Sequence, residues 1–309
     1  MWPRNRSAHS SADVGPCRFC GGLSELALEA ADRNRELGEE RFAYRRCREC
    51  ASFSLVDVPS DLGRYYAGTE RYYGLPAAAE LGGLAPAEAH KLAFVADRAD
   101  PGRLVEIGPG SGAFAYAARQ AGFDVTGIEI DAQTCEHLRA EVGVPAIQSD
   151  DPAAAVAALP PSRAVAMWHV LEHLDDPAAT IDAIAANLEP GGVLALSTPN
   201  PRSLQFRLLG ARWAHLDAPR HLALIPLDAL AERAAAAGLG LAEATTTDPT
   251  GRDCTYLGWE YAMRRRPAVG SSSRPLLLTT FALAAALRPL EGSGLRGAAY
   301  TAVFVKADG

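Results

Sequence analysis

Leu104-Val105-Glu106-Ile107-Gly108-Pro109-Gly110-Ser111-Gly112 decides the fold. A short apolar run that ends in spaced glycines reads as a β-strand feeding a tight turn. The sequence after it reads as a helix with Phe114, Ala118 and Ala121 inward and Gly122 as its stop. Glycine also lets a backbone approach a ligand closely. Gly108-x-Gly110-x-x-Ala113 satisfies the dinucleotide fingerprint as well, so the glycines do not choose the cofactor.

The alternation continues downstream. Asp124–Ile130 predicts a second strand. Asp131 predicts the cap of a helix presenting Cys135, Leu138 and Val142 and stopping at Gly143. Ala146–Ser149 and Arg163–Val170 follow as strands. Asp176-Pro177 is a helix start, with Ile181, Ile184 and Leu188 on one face. Val193–Thr198 is a fifth strand, Leu227–Ala237 a helix, and Leu241–Thr247 and Ala299–Val305 the last strands. Strands alternating with helices of this length predict an α/β fold with a parallel, doubly wound sheet. Its ligand edge lies beyond the carboxyl ends of the strands.

Glu106 bears on the ligand. It sits inside an apolar strand, two residues before Gly108. A carboxylate there repels a pyrophosphate and attracts a cation. S-adenosylmethionine carries an ammonium and a sulfonium and no phosphate, so Glu106 favours it over NAD. Glu129, at the end of the second strand, is placed to accept both ribose hydroxyls. Asp150, next to Asp151, is placed to accept from the adenine amino group. His169, in Met167-Trp168-His169-Val170-Leu171-Glu172-His173-Leu174, is placed to position cofactor or acceptor. His169 and His173 have helical metal-ligand spacing, but no third ligand stands near them in sequence.

The front of the chain has a separate chemistry. Cys17-Arg18-Phe19-Cys20 and Cys47-Arg48-Glu49-Cys50 are two C-x2-C pairs. Four thiolates suit tetrahedral structural zinc. Phe42 and Tyr44 alternate before the second pair, and Phe53 and Leu55 after it, as strand, knuckle and strand. A short module with little core of its own gains stability from a metal. Cys17, Cys20, Cys47 and Cys50 are therefore the expected zinc ligands of a module over residues 1–60. Residues 61–97 read as linker and lid, with the pairs Tyr65-Tyr66 and Tyr72-Tyr73 closing a site or packing the module, and a helix over Pro86–Asp97 facing inward through Leu92 and Val95. Residues 98–309 hold the sheet.

The 309 residues have ordinary apolar content at 48% and a net charge of −7, which disfavours nucleic acid as the main partner. Leu276–Leu287 is apolar but shorter than the roughly 20 residues of a membrane span. It reads as a packing helix or as a wall of an acceptor pocket. The N-terminus has no apolar signal segment, so a cytoplasmic location with reduced cysteines is expected.

Taken together, Glu106-x-Gly108-x-Gly110-x-Gly112, Glu129 and H-V-L-E-H-L resemble the class I S-adenosylmethionine-dependent methyltransferases. The resemblance is greatest to the small-molecule branch related to ubiquinone-biosynthesis methyltransferases. It covers roughly residues 98–309 and implies a seven-stranded Rossmann-like sheet. Leu216-Asp217-Ala218-Pro219-Arg220-His221-Leu222 also looks like a feature of this branch. Some sugar C-methyltransferases similarly join a four-cysteine zinc module to this fold. In them a histidine before a helix is implicated as base, and another lies in the segment like Leu171–Leu174. The resemblance thus points to His221 as base, with His173 second. The sugar enzymes differ in carrying a further C-terminal domain and in lacking Pro219-Arg220.

These readings imply in-line methyl transfer to a small-molecule acceptor: natural-product, sugar or lipid-like. Residues 201–226 form an insertion on the acceptor side, rich in Arg, Phe and Trp, and Arg264-Arg265-Arg266 reads as an anion contact or a solvated turn. The competing readings are a zinc-ribbon ribosomal-RNA methyltransferase gripping phosphates through Arg41, Arg45, Arg46 and Arg48, a non-catalytic S-adenosylmethionine-binding module, and an NAD dehydrogenase.

Overall fold

The computed structural model describes residues 14–66, 74–264 and 273–308. Tyr72, Tyr73, Arg265 and Arg266 lie outside the described residues.

The decisive stretch forms a strand and the turn after it. Elements are numbered in chain order. The front half contains β1 Val14–Pro16, β2 Leu23–Ala31, β3 Arg41–Cys47, β4 Phe53–Leu55, α1 Ala78–Ala96, β5 Arg103–Ile107, α2 Ala113–Gln120 and β6 Asp124–Glu129. Then come α3 Ala132–His137, β7 Ala146–Gln148, α4 Pro152–Ala157, β8 Ser162–Trp168, α5 Pro177–Asn187 and β9 Leu188–Pro199. The chain closes with α6 Leu204–Leu209, β10 Ala223–Leu224, α7 Leu227–Ala236, β11 Leu239–Thr245, α8 Pro249–Met263, α9 Arg274–Gly292 and β12 Ala299–Lys306.

Seven strands form the main sheet in the order β11-β12-β9-β8-β5-β6-β7. The α/β sheet is as expected, with one correction. β12 runs antiparallel to both β9 and β11, so the sheet is mixed. The order reverses beside β5, which places the crevice over the β5 glycine turn. Side chains alternate across the sheet. Val105, Ile107, Val165, Met167, Leu194 and Leu196 face α5 and α7. Leu104, Ala164, Ala166, Val193 and Ala195 face Phe114, Ala118, Leu138 and Val95.

The capping chemistry explains the helix starts. Asp131, Asp151 and Asp176 accept from Thr134, Ala154 and Ala179 amides at 2.8, 3.0 and 2.8 Å. Two local readings change. Ala121 follows α2 and is exposed, and α1 begins at Ala78, with Pro86 inside it.

A second sheet has the order β1-β2-β3-β4-β10. Its last strand comes from the 201–226 segment: Ala223 pairs with Ser54 and Leu224 with Phe53. Leu28, Phe42, Tyr44 and Leu55 share one core with Phe206, Trp213, Leu216 and Leu222. Burying a side chain of this size contributes about 1.5–3 kcal/mol, so the small sheet draws stability from the later half of the chain. Phe206 and Trp213 are taken up by this packing, with ring centroids 5.1 Å apart.

Candidate functional site

The glycine turn leaves β5 beneath α2. Gly108, Gly110 and Gly112 have φ of 67°, 54° and 75°, the left-handed region that other residues avoid. A Cβ on Gly108 would stand 2.5 Å from Val170 Cγ2, so the turn abuts the histidine-bearing segment after β8. His137 adds a tether: its Nε2 lies 3.0 Å from the Ser111 carbonyl oxygen. The sequence reading missed it, because nothing in the local pattern links α3 to the turn.

Glu106 is buried against the α1 and α2 layer, and its Oε2 has no hydrogen-bond partner. Burial pushes its carboxyl up to about 8, against the opposing pull of Lys91. The carboxylate invoked from sequence is therefore mostly protonated near neutrality until a cation arrives. Glu129 sits at the end of β6. Its Oε1 accepts from the Ile130 and Asp131 amides at 2.9 and 3.2 Å, and burial raises its carboxyl. Asp150 is exposed past the end of β7, whereas Asp151 is committed to capping α4. Glu106 and Glu129 thus lie near the ends of β5 and β6, and the glycine turn and Asp150 follow β5 and β7, three neighbouring strands. An orphaned buried carboxylate oxygen at this edge fits the ammonium of S-adenosylmethionine.

The histidine segment is built around Glu172, which is fully buried. Its two oxygens accept from Thr198 Oγ1 at 2.9 Å and meet His169 Nδ1 at 3.2 Å. Burial opposes its charge, but the hydrogen bond from His169 and the His169 charge hold its carboxyl at about 2. His169 has φ of 57°, and its Nε2 lies 3.7 Å from Cys254 Sγ. Burial disfavours its charge, yet Cys254 and Glu172 outweigh this and raise it to about 10.

His221 arrives from the loop before β10. Its ring meets that of His173 edge-on, with centroids 4.7 Å apart. His221 Nδ1 is 2.9 Å from the His215 carbonyl oxygen, and His173 Nδ1 is 2.9 Å from that of Arg220. A neutral ring held this way donates its Nδ1–H to the carbonyl and keeps its lone pair on Nε2, as His221 does. Burial, reinforced by His173, lowers His221 to about 4, so its imidazole is neutral at ordinary pH. Asp217 Oδ2, 3.9 Å from His221 Nε2, supplies a negative charge for the imidazolium.

Glu172, His173 and His221 offer ligand-type atoms within 4.8 Å of one another, a spacing that also suits a divalent cation. His169 lies outside that group, so the spacing of His169 and His173 gathers no metal set; the loop before β10 instead brings His221 to Glu172 and His173. Of the first tyrosine pair, the Tyr66 hydroxyl lies 3.1 Å from His173 Nδ1, while Tyr65 packs on Phe42.

The N-terminal sheet holds this loop. Tyr44 donates to the His221 carbonyl at 2.9 Å, and the Leu55 amide to the Leu222 carbonyl at 2.9 Å. Arg220 is fully buried and donates to Asp32 and Asp217 at 2.7 and 2.6 Å, and Asn34 also donates to Asp217.

The four cysteines converge as expected. Their sulfurs lie within 4.8 Å of one another, with Cys17–Cys50 at 3.6 Å and Cys20–Cys47 at 3.5 Å. Tetrahedral zinc with bonds of about 2.3 Å sets sulfurs about 3.8 Å apart, so the set fits. Amides of Phe19 and Glu49 point at the Cys17 and Cys47 sulfurs, each at 3.4 Å, as they do for thiolates. Without a metal, the hydrogen bond to Cys17 and burial push Cys50 up to about 12.

A ubiquinone biosynthesis O-methyltransferase of Bordetella avium is 32% identical over 125 residues, covering 38% of this chain and 52% of its own. One of Psychrobacter arcticus is 32% identical over 120 residues, covering 36% and 47%. The chain spans about half the length of these curated relatives. A crystal structure of a SAM-dependent methyltransferase from Archaeoglobus fulgidus shares the fold, with a TM-score of 0.51 and 15% identity over 73% of this chain and 94% of that one. A family model described as a methyltransferase domain matches residues 83–244, more than half of the sequence. The chain therefore belongs to the methyltransferase-domain family, the enzyme class expected from its glycine turn and acids.

Proposed function

We propose that the protein transfers a methyl group from S-adenosylmethionine to a small-molecule acceptor, with His221 as base. The observation that carries this reading is the His173–His221 pair, whose rings meet with both Nδ1 atoms held by carbonyls. A neutral imidazole with a free Nε2 beside two carboxylates is suited to taking a proton from a hydroxyl or an acidic carbon. S-adenosylmethionine, when bound, supplies an activated methyl group. Glu106, Gly108, Gly110, Gly112, Glu129 and Asp150 hold it, and His169 positions donor or acceptor. The chain then aligns the acceptor at attack distance and excludes water. His173 orders the His221 ring and stands second as base.

The curated relatives carry the name ubiquinone biosynthesis O-methyltransferase, which supports a hydroxyl acceptor. Among natural-product, sugar and lipid-like compounds, that favours those with an acidic hydroxyl. The cysteine cluster holds structural zinc. The arginines near the second knuckle have other engagements: Arg41 pairs with Glu29, Arg48 with Glu25, and Arg46 lies over the Phe53 ring. This supports a small molecule over RNA.

The test is incubation with isotope-labelled S-adenosylmethionine and fractionated metabolites, read by mass spectrometry. A labelled small molecule is expected. Label found only in RNA, or in nothing while the donor binds, contradicts the reading.

A further inference from the structure

The outward face of α9 carries exposed apolar side chains that the proposed methyl-transfer site does not use. α9 packs on α8 through the face carrying Thr280, Leu283, Leu287 and Glu291; Glu291 accepts from Trp259 Nε1 at 2.8 Å. The opposite face is exposed. Arg274, Leu278, Phe281, Ala285 and Arg288 follow one another at helical spacing and form a single stripe. Leu278 and Phe281 are 71% and 67% exposed, and Leu277 beside them is 38% exposed. Apolar side chains therefore stand on both faces of α9, whereas an ordinary surface helix keeps them on the core side.

The charges on the stripe say what covers it. An arginine stands at each end, about 21 Å apart at 1.5 Å per residue. Among the described residues neither has an ion-pair partner, and no acid is exposed on α9 short of its end. A second copy packing stripe to stripe would set arginine against arginine, whether the helices ran parallel or antiparallel. An anionic lipid surface satisfies both ends, because each guanidinium reaches a phosphate while Leu278 and Phe281 enter the acyl boundary. No described helix is long and apolar enough to cross a membrane, which fits a helix lying in the plane.

We propose that α9 docks the protein in-plane on an anionic bilayer. The proposal is independent of which histidine is the base. The test is co-sedimentation of the full chain with vesicles of phosphatidylcholine alone or mixed with phosphatidylglycerol. Binding is expected on the mixed vesicles, weaker on phosphatidylcholine alone and weaker at high salt. Phe281→Glu is expected to lower the partition by about tenfold or more. The double change Arg274→Gln with Arg288→Gln is expected to remove the preference for phosphatidylglycerol. S-adenosylhomocysteine affinity serves as the folding control and is expected to stay at the wild-type value in both. Phe281→Trp gives a second readout: brominated lipid is expected to quench the new indole. The proposal is overturned by absence of binding to mixed vesicles, by binding that Phe281→Glu leaves intact, or by an indole in Phe281→Trp that brominated lipid leaves unquenched. A wild-type dimer that Phe281→Glu dissociates, without vesicle binding, also overturns it in favour of a second copy.

Discussion

Arg220 donates to Asp32 across 2.7 Å although 188 residues separate them, and neither side chain reaches solvent. Asp217 shares the same guanidinium, and His221 follows it in sequence. The N-terminal sheet thus clamps the segment that carries the proposed base. Removing Asp32 leaves Arg220 its Asp217 partner, so the loss stays below the roughly 3–5 kcal/mol that stranding a buried charge costs. Asp32→Asn is expected to lower the chemical-denaturation midpoint and to reduce turnover, while S-adenosylhomocysteine affinity changes little. A variant with normal turnover would show that the clamp is not needed to place His221.

The same coupling makes metal removal a catalytic perturbation. Plasma-emission analysis is expected to find one zinc per chain. Cys47→Ser is expected to lose most of it, because Cys47 closes β3 at the knuckle and lies 3.5 Å from Cys20 Sγ. Loosening β3 and β4 frees β10 and the His221 carbonyl held by Tyr44. Turnover is expected to fall before cofactor binding does.

Glu106 predicts a pH dependence of donor affinity. Its folded value of about 8 lies above the ordinary 4.5, so the free crevice holds a proton that a cationic ligand must expel. Affinity for S-adenosylmethionine should rise as pH increases toward 8 and then level off. Calorimetry in buffers of differing ionisation enthalpy should record proton release. Glu106→Gln should remove both the slope and the release.

His221 predicts the acid limb of the rate profile. Burial lowers it to about 4, so the base stays neutral well below the ordinary imidazole value of 6.5. The limb of kcat/KM should fall nearer 4 than 6.5, and a limb at 6.5 contradicts His221 as base. His221→Gln is expected to lower kcat by about 10²–10⁴-fold, with S-adenosylhomocysteine binding within about twofold of wild type.

Much of the sheet was legible because its signals are local. The β5 run, the glycines, the Asp131 and Asp176 helix starts and the two cysteine pairs each show within a few residues. The antiparallel entry of β12 was not, since a strand's direction depends on where its connection crosses the sheet. β10 was invisible for a related reason: two residues, Ala223 and Leu224, pair with Ser54 and Phe53 far upstream. The meeting of His221 with His173 and the burial of Arg220 follow from that pairing. The outward face of α9 was missed because apolar spacing predicts a stripe without saying which side meets the core.

If the edge past β5 and β6 is a nucleoside site whose acids read S-adenosylmethionine, the protein must also bind the demethylated nucleoside by itself. Isothermal titration of folded, zinc-loaded protein with S-adenosylhomocysteine tests it most directly. The account predicts one site per chain and, in Glu129→Ala, an affinity weaker by at least about tenfold, or ~1.4 kcal/mol. No measurable binding to the wild type, or equal binding to Glu129→Ala, would contradict it.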